Sequence, residues 1–171
     1  MDTIATKWQA RYVRVLDPLS RAFLVTASIA LTFIALYLLI ALIGQNLKFE
    51  VPDQLLLIAE AMILVVFLPQ ASVVSNGEHI QVDVLVKRLS PIAQARVEIA
   101  SHLFGVLFYT LLTIAGWLAL AWAAGTGAYH MGLLAVPEWI TRLAFVLGAG
   151  LALLRSASSA HIAYLTAKAL P

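Results

Sequence analysis

Four long apolar runs, separated by short polar segments, set the pattern of this chain. The runs cover residues 22–44, 54–74, 97–123 and 138–160. As a helix rising about 1.5 Å per residue, each run is long enough to cross the roughly 30 Å hydrocarbon core of a bilayer. The pattern therefore predicts an all-α integral membrane protein with four transmembrane helices, organised as one membrane domain over residues 1–171.

Residues 1–20 form a basic amphipathic segment ahead of the first run. Lys7, Arg11 and Arg14 carry its positive charge, and apolar residues recur on one helical face. This pattern is typical of a short helix that lies on an anionic membrane surface, so membrane lipids are the first partner that the sequence implies. A proline disfavours helical backbone geometry at the residue before it. Asp17-Pro18 is therefore expected to separate this helix from the first span.

The longest polar interruption, residues 76–89, lies between the second and third runs. Gly77 supplies a residue that adopts positive φ readily and can end the second helix. Beyond it, a helical period places His79, Asp83 and Lys87 in one arc, with two apolar strips beside them. The strips contain Ile80 and Val84 on one side, and Val82, Leu85, Val86 and Leu89 on the other. A helix on a membrane surface needs only one apolar face. The two strips therefore predict an interfacial helix that contacts lipid with one face and protein with the other.

The composition excludes an ordinary soluble domain. Hydrophobic residues make up 62% of the chain, charged residues 12%, and the mean hydropathy is +0.93. The pI is near 9.1, but most Lys and Arg residues stand at the ends of apolar runs, where membrane topology explains them and no nucleic acid is implied. The chain has no Cys, which excludes thiol catalysis, Cys-ligated metals and disulfides.

The distribution of Lys and Arg predicts the orientation of the spans. With both termini in the cytoplasm, all but two of the 11 Lys and Arg residues lie on or toward the cytoplasmic side. The two exceptions are Lys48 and Arg142. Since cytoplasmic loops of membrane proteins carry the excess of positive charge, we expect four spans with both ends cytoplasmic.

The second apolar run contains Glu60, Pro69 and Gln70, which are unusual inside a membrane span. A carboxylate facing lipid is energetically expensive, so Glu60 is expected to face protein or water. Pro69 should bend the helix and release a backbone carbonyl, for which Gln70 or Ser72 can compensate. These polar groups are therefore candidates for the functional or structural centre of the chain.

The fourth run opens with Pro137, Glu138 and Trp139, and Arg142 follows one turn after Glu138. Proline suits the first turn of a helix, and the four-residue spacing favours an ion pair on the helix surface. Small residues, which let another helix approach closely, then recur at every fourth position. They are Gly148, Ala152, Ser156 and Ala160.

Three functions can explain the polar groups inside the spans. Glu60 can carry a proton or cation in a small antiporter, although the lopsided Lys and Arg distribution argues against a carrier that inserts in both orientations. His102 and His161 lie at comparable depth in the third and fourth spans and can ligate a haem, although cofactor-binding bundles usually place their ligands deeper. The third possibility is a non-catalytic helper subunit, whose polar groups pair with another membrane protein.

A resemblance favours the helper subunit. The segment Gly77-Glu78-His79-Ile80-Gln81-Val82-Asp83 resembles the Gly-x-His-Ile/Val-x-Val-Asp signature of the small membrane subunit, the Q or DctQ-like component, of tripartite ATP-independent periplasmic (TRAP) transporters. Four spans with cytoplasmic termini, an acid at Glu60 and Pro137-Glu138-Trp139 at the start of the fourth span are also similar to that family. The resemblance extends over essentially the whole chain.

The resemblance implies two protein partners in the bacterial inner membrane and periplasm. One is a large Na⁺-coupled membrane subunit, and the other is a soluble periplasmic binding protein that delivers organic acids such as C4-dicarboxylates or sialic acid. The small subunit would act as a scaffold, with no enzymatic activity, cofactor or metal of its own. Glu60, Gln70 and the residues from Gly77 to Lys87 would then serve the subunit interface or the fold. Pro137, Glu138, Trp139 and Arg142 would start the fourth helix and offer a docking site on the periplasmic side.

Overall fold

A computed structural model describes residues 4–49, 51–75 and 91–168. The helices in these residues are α1 (Ile4–Asn46), α2 (Gln54–Phe67), α3 (Gln70–Ser75), α4 (Pro91–Thr126) and α5 (Trp139–Lys168). Within them, four stretches are long and apolar enough to cross a membrane: Arg14–Asn46, Gln54–Val74, Arg96–Thr126 and Trp139–Thr166. The prediction of a four-span, all-α chain is confirmed. The predicted interfacial helix at 76–89 lies outside the described residues.

The first helix continues through Pro18, so the predicted break at this residue is wrong. A proline inside a helix removes one backbone hydrogen bond and crowds the preceding turn. Here tertiary contacts hold the residues around it. Asp17 accepts a hydrogen bond from Arg155 of α5 at 2.6 Å, and the side chains of Leu16 and Ser20 are buried. These contacts offset the local preference, and the basic N-terminal segment extends the first span.

The second span is interrupted around Pro69, between α2 and α3, as the sequence predicted. Pro69 has no N–H to donate to the preceding turn. The side-chain amide of Gln70 donates to the carbonyl oxygen of Val66 at 3.1 Å, which confirms its predicted compensating role. The hydroxyl of Ser72 donates instead to the carbonyl oxygen of Ser20 in α1, at 3.5 Å. The interruption is thus tied to the first span.

α5 is the central helix of the described chain. It packs most extensively against α4 and also contacts α1, α2 and α3. Gly148 lies so close to the end of α2 that a Cβ atom there would collide with the carbonyl group of Phe67. Ala152 is fully buried beside Val74 and Tyr109. The predicted strip of small residues therefore serves close helix packing within this chain.

The outward faces of the spans are broadly apolar. Ile29 in α1 and Leu118 in α4 are each 65% exposed, and Phe104 is 73% exposed. Leaving such side chains in water costs about 25 cal/mol for each Å² of apolar surface. These faces therefore require hydrocarbon or another protein around them, as expected of helices that cross a membrane.

Candidate functional site

Two connections meet at one end of the helices, which we call the loop end. They are residues 47–49 and 51–53 after α1, and residues 127–138 between α4 and α5. The carboxylate of Asp53 accepts a hydrogen bond from the backbone N–H of Leu134 at 2.7 Å. A Cβ atom on Gly132 would lie 2.6 Å from that carboxylate, so a larger residue there would require the Asp53 side chain to shift. Asp53 directly precedes α2 but does not cap it, and its side chain joins the two connections instead.

The connection between α4 and α5 folds back on itself through two backbone hydrogen bonds. The N–H of His130 donates to the carbonyl oxygen of Val136 at 2.9 Å, and the N–H of Glu138 donates to that of Ala128 at 3.1 Å. Gly127, with φ of 64°, turns the chain at the end of α4 in a conformation that glycine adopts without steric cost. The side chains of His130 and Glu138 are thereby held near the start of α5.

Glu60 in the second span pairs with His130 from this connection. The distance from His130 Nε2 to Glu60 Oε1 is 2.6 Å. The Glu60 side chain is 13% exposed and that of His130 is 29% exposed, so the pair is largely withdrawn from the surface. The expectation that Glu60 faces protein is confirmed, and the partner is a histidine from the connection between the last two spans.

Glu138 and Arg142 extend this pair into a cluster. Arg142 Nη2 donates to Glu138 Oε2 across one helical turn, as their spacing predicted. The second ring nitrogen of His130 lies 3.9 Å from Glu138, within reach of a charge interaction when the ring is protonated. The Arg142 guanidinium also lies over the ring of Trp122, 5.7 Å from its centroid. We call Glu60, His130, Glu138 and Arg142 the loop-end cluster.

Pro137 and Trp139 frame the start of the fourth span, as predicted. Pro137 forms an isolated antiparallel bridge with Tyr129, and α5 begins at Trp139. Trp139 is 43% exposed, and Tyr129 is 62% exposed. Aromatic side chains of this kind favour the boundary between lipid and water. This arrangement is typical of a helix that begins at a membrane interface.

The loop-end cluster contains two carboxylates, one guanidinium and one imidazole. Glu60 Oε2 is buried and has no hydrogen-bond partner among the described residues. A buried charge is tolerated only when it is paired, and loss of the partner costs far more than the pair contributes. The geometry therefore makes the cluster a tie between α2, the second connection and α5.

A second ion pair lies at the opposite end of the helices, the terminus end, near residues 4–20 and 155–168. Arg155 Nη2 lies 2.6 Å from Asp17 Oδ1, with the two side chains 11% and 32% exposed. Ser20 is buried one turn further along α1, and its hydroxyl has no partner among the described residues. This pair connects the first and last spans, and the sequence did not predict it.

The two histidines considered for haem ligation both take part in helix packing. His161 Nδ1 lies 3.2 Å from the hydroxyl of Tyr12, whose ring meets the imidazole edge-on. The carbonyl oxygen of His102 accepts a hydrogen bond from Ser156 at 3.2 Å. In the part of the chain that the structure describes, no three His, Asp or Glu residues are grouped to hold a metal ion.

Gln70 has a second role beyond the interruption at Pro69. Its carbonyl oxygen accepts a hydrogen bond from the hydroxyl of Tyr109 in α4 at 3.1 Å, and Tyr109 is buried. Gln70 therefore links the second and third spans. The remaining candidate residues of the sequence motif fall outside the described residues. They are Gly77, His79, Ile80, Val82, Asp83 and Lys87.

Sequence reasoning missed His130 and Asp17 as the partners of the two embedded charges. The order of the spans along the chain indicates which residues lie at the same end of the bundle. In an antiparallel bundle, a residue before the first run and a residue near the end of the fourth lie at the same end, which brings Asp17 near Arg155. By the same rule, the connection that holds His130 lies at the end of α2 nearest Glu60. Matching charges by depth would have suggested both pairs.

These features define a multi-pass helical membrane protein in which the embedded charges of Glu60 and Arg155 are paired with other elements of the same chain. The family model described as tripartite ATP-independent periplasmic transporters, DctQ component, matches residues 56–164. The chain belongs to this family, the small membrane component of TRAP transporters. Comparison with curated proteins and with solved structures gave no match. The matched range begins in α2 and ends in α5, so it contains the whole loop-end cluster.

Proposed function

We propose that this chain is the scaffold subunit of a Na⁺-coupled secondary transporter that imports organic acids with the help of a periplasmic binding protein. Its membership of the DctQ family makes it a transporter component, and this family works with a large membrane subunit and a binding protein. In the proposed assembly the large subunit carries the Na⁺ and substrate sites. The present chain, as one membrane domain, enlarges and anchors it.

One observation carries the scaffold role: the embedded charges of Glu60 and Arg155 are paired inside the chain. Glu60 is held by His130 at 2.6 Å, and Arg155 is held by Asp17 at the same distance. An acid that carries a proton or cation must exchange its partner in each cycle, whereas these groups connect helices. With the charges committed to the fold, the exposed apolar faces are left for lipid and for the large subunit.

Two regions are proposed as contacts with the partners. The segment from Gly77 to Lys87, with two predicted apolar strips, would lie between lipid and the large subunit, with His79, Ile80, Val82 and Asp83 on its two kinds of face. The loop end, with Pro137 and Trp139 at its rim, would face the binding protein. Glu60 and Gln70 support these regions by holding the second span in place.

The proposed orientation places the terminus end in the cytoplasm and the loop end in the periplasm of a bacterial inner membrane. The charge distribution supports it. Exposed Arg14, Arg21 and Arg96 lie at the terminus end, whereas Lys48 and Arg142 are the basic residues toward the loop end. Positive charge favours the cytoplasmic side of short connections.

The proposal is tested by purification and reconstitution. The tagged chain should retain a large membrane protein, identified by mass spectrometry, when the two are expressed together. Liposomes that hold both subunits should accumulate an organic acid when given a Na⁺ gradient and the binding protein, and liposomes with this chain alone should not. Uptake by the chain alone would support the carrier function of Glu60, and a Soret band in the purified chain would support haem binding.

A further inference from the structure

A cleft opens between α2 and α4 toward the surrounding membrane, and α5 forms its floor. Both helices pack on α5, but they share no extensive contact with each other among the described residues. The cleft has a volume of about 280 Å³. It is lined by Ile63 from α2, by Ala115, Gly116 and Ala119 from α4, and by Thr141 and Phe145 from α5. Nearly all of this lining is apolar.

The cleft lies in the half of the membrane next to the loop end. Gly116 is ten residues before the end of α4 and Phe145 is six residues after the start of α5, which places them about 15 and 9 Å from the loop end at 1.5 Å per residue. At Gly116 the helices α4 and α5 approach closely, since a Cβ atom there would be 2.6 Å from the Phe145 ring. The cleft therefore runs from the membrane interface toward the middle of the bilayer.

Arg142 also lines this cleft, three residues after the start of α5. Its guanidinium is held on one side by Glu138 and on another by the face of Trp122. The bond to Glu138 uses Nη2, whereas a guanidinium has five N–H donors in a planar fork. The side chain is 33% exposed, so a ligand can reach it from outside the chain. Such a fork binds phosphate oxygens with short, charge-assisted hydrogen bonds.

We propose that this cleft binds one acyl chain of a membrane phospholipid, with the lipid phosphate on Arg142. An apolar cavity of this kind does not hold ordered water, so its natural content inside a membrane is hydrocarbon. The guanidinium of Arg142 lies at the same end as the headgroups of that leaflet, whereas the hydroxyl of Thr141 donates to the carbonyl oxygen of Glu138 at 3.3 Å. The site therefore matches an amphiphile in both polarity and direction. Lipid binding in this cleft does not depend on which substrate the transporter moves.

Photo-crosslinking in native membranes tests the site. A phosphatidylglycerol with a diazirine midway along one acyl chain is supplied to cells that express this chain with the large subunit, and adducts are mapped by mass spectrometry. Adducts are expected on the residues that line the cleft, Ala115, Gly116, Ala119 and Ile63. Ala119→Phe should remove them by filling the cleft, whereas Ala121→Phe, on an exposed position of the same helix, should not. If Ala119→Phe prevents folding, the Arg142 variants below decide.

The phosphate contact is tested with matched cations and matched lipids. Arg142→Gln should reduce the adducts about tenfold, the effect of losing one charge-assisted hydrogen-bonded contact, and Arg142→Lys should reduce them less. Lys48→Gln, another cation toward the loop end, should leave them unchanged. A diazirine diacylglycerol without phosphate should label about tenfold less than the phospholipid, for the same reason. Adducts spread evenly over the exposed face of α4, or adducts lost whenever the large subunit is present, would overturn the proposal.

Discussion

His130 determines what Glu60 can do in this chain. A carboxylate inside a membrane span often marks an ion pathway, and the sequence alone left that possibility open. The structure pairs Glu60 with His130 at 2.6 Å and places Glu138 and Arg142 beside the pair. The acid therefore links the second span to the connection between the last two spans.

The first prediction concerns the coupling of Glu60 with His130. Each single change, Glu60→Ala or His130→Ala, leaves a buried group without its partner and should lower the free energy of unfolding by about 1–3 kcal/mol. The double variant should cost little more than either single one, because both remove the same interaction. Unfolding in mixed micelles, followed by Trp fluorescence, measures this, with Glu98→Ala on an exposed position as the control. Additive losses would contradict the pairing.

The same variants separate structure from ion transport. In the complete transporter, Glu60→Ala should weaken the complex and lower uptake together. Loss of uptake with an intact complex and unchanged thermal stability would instead assign ion carriage to Glu60.

The second prediction concerns Arg155. Removing one partner of a buried ion pair costs about 3–5 kcal/mol, and the lower end of that range applies here because Asp17 is 32% exposed. Arg155→Ala should therefore lower the stability of the purified chain strongly. Arg21→Ala removes the same charge from an exposed position of α1 and should have little effect. Similar stabilities for the two variants would show that the Asp17 contact contributes nothing.

At the scale of elements, hydropathy predicted the four spans and proline predicted the interruption in the second, because both signals are local to the sequence. The path of α1 could not be predicted in the same way. Pro18 favours a break locally, and the contacts of Asp17 and Leu16 with α5, which override it, depend on the packing of the first span against the last. The partner of Glu60 was missed for the same reason, since His130 is 70 positions away in the sequence.

The third prediction concerns the contact between α5 and the end of α2. Gly148→Ala places a Cβ atom against the carbonyl group of Phe67 and should force the two helices apart, at a cost of roughly 1–3 kcal/mol. Gly150→Ala is the matched control, because a Cβ atom there meets nothing within 4 Å. That change should be neutral or slightly stabilising, since alanine favours helix more than glycine does. Thermal unfolding in detergent compares the two variants, and equal effects would contradict the close approach.

At the scale of the whole molecule, the two ion pairs lie at opposite ends of the bundle. The loop-end cluster joins α2 to the start of α5, and the Asp17–Arg155 pair joins α1 to the other half of α5. α5 is thereby anchored near both membrane surfaces, while its small residues allow close packing between them. A bundle held this way offers a stable apolar exterior, as a scaffold for a larger membrane protein requires.

The last prediction concerns the orientation of the chain in the membrane, which decides what each end can meet. The chain has no Cys, so a single introduced thiol reports its own position without background. Met131 in the second connection is 99% exposed, and Thr166 near the end of α5 is also exposed. If the excess of Lys and Arg sets the topology, Met131→Cys should react with a membrane-impermeant maleimide in intact spheroplasts, and Thr166→Cys only after permeabilisation. Leu118→Cys, on the lipid-facing side of α4, should stay unlabelled in both conditions, because a thiol in hydrocarbon does not form the reactive thiolate.

Labelling of Thr166→Cys before permeabilisation would place the terminus end in the periplasm. The loop end would then face the cytoplasm, where a periplasmic binding protein cannot reach it, and the proposed division between the two ends of the molecule would be wrong.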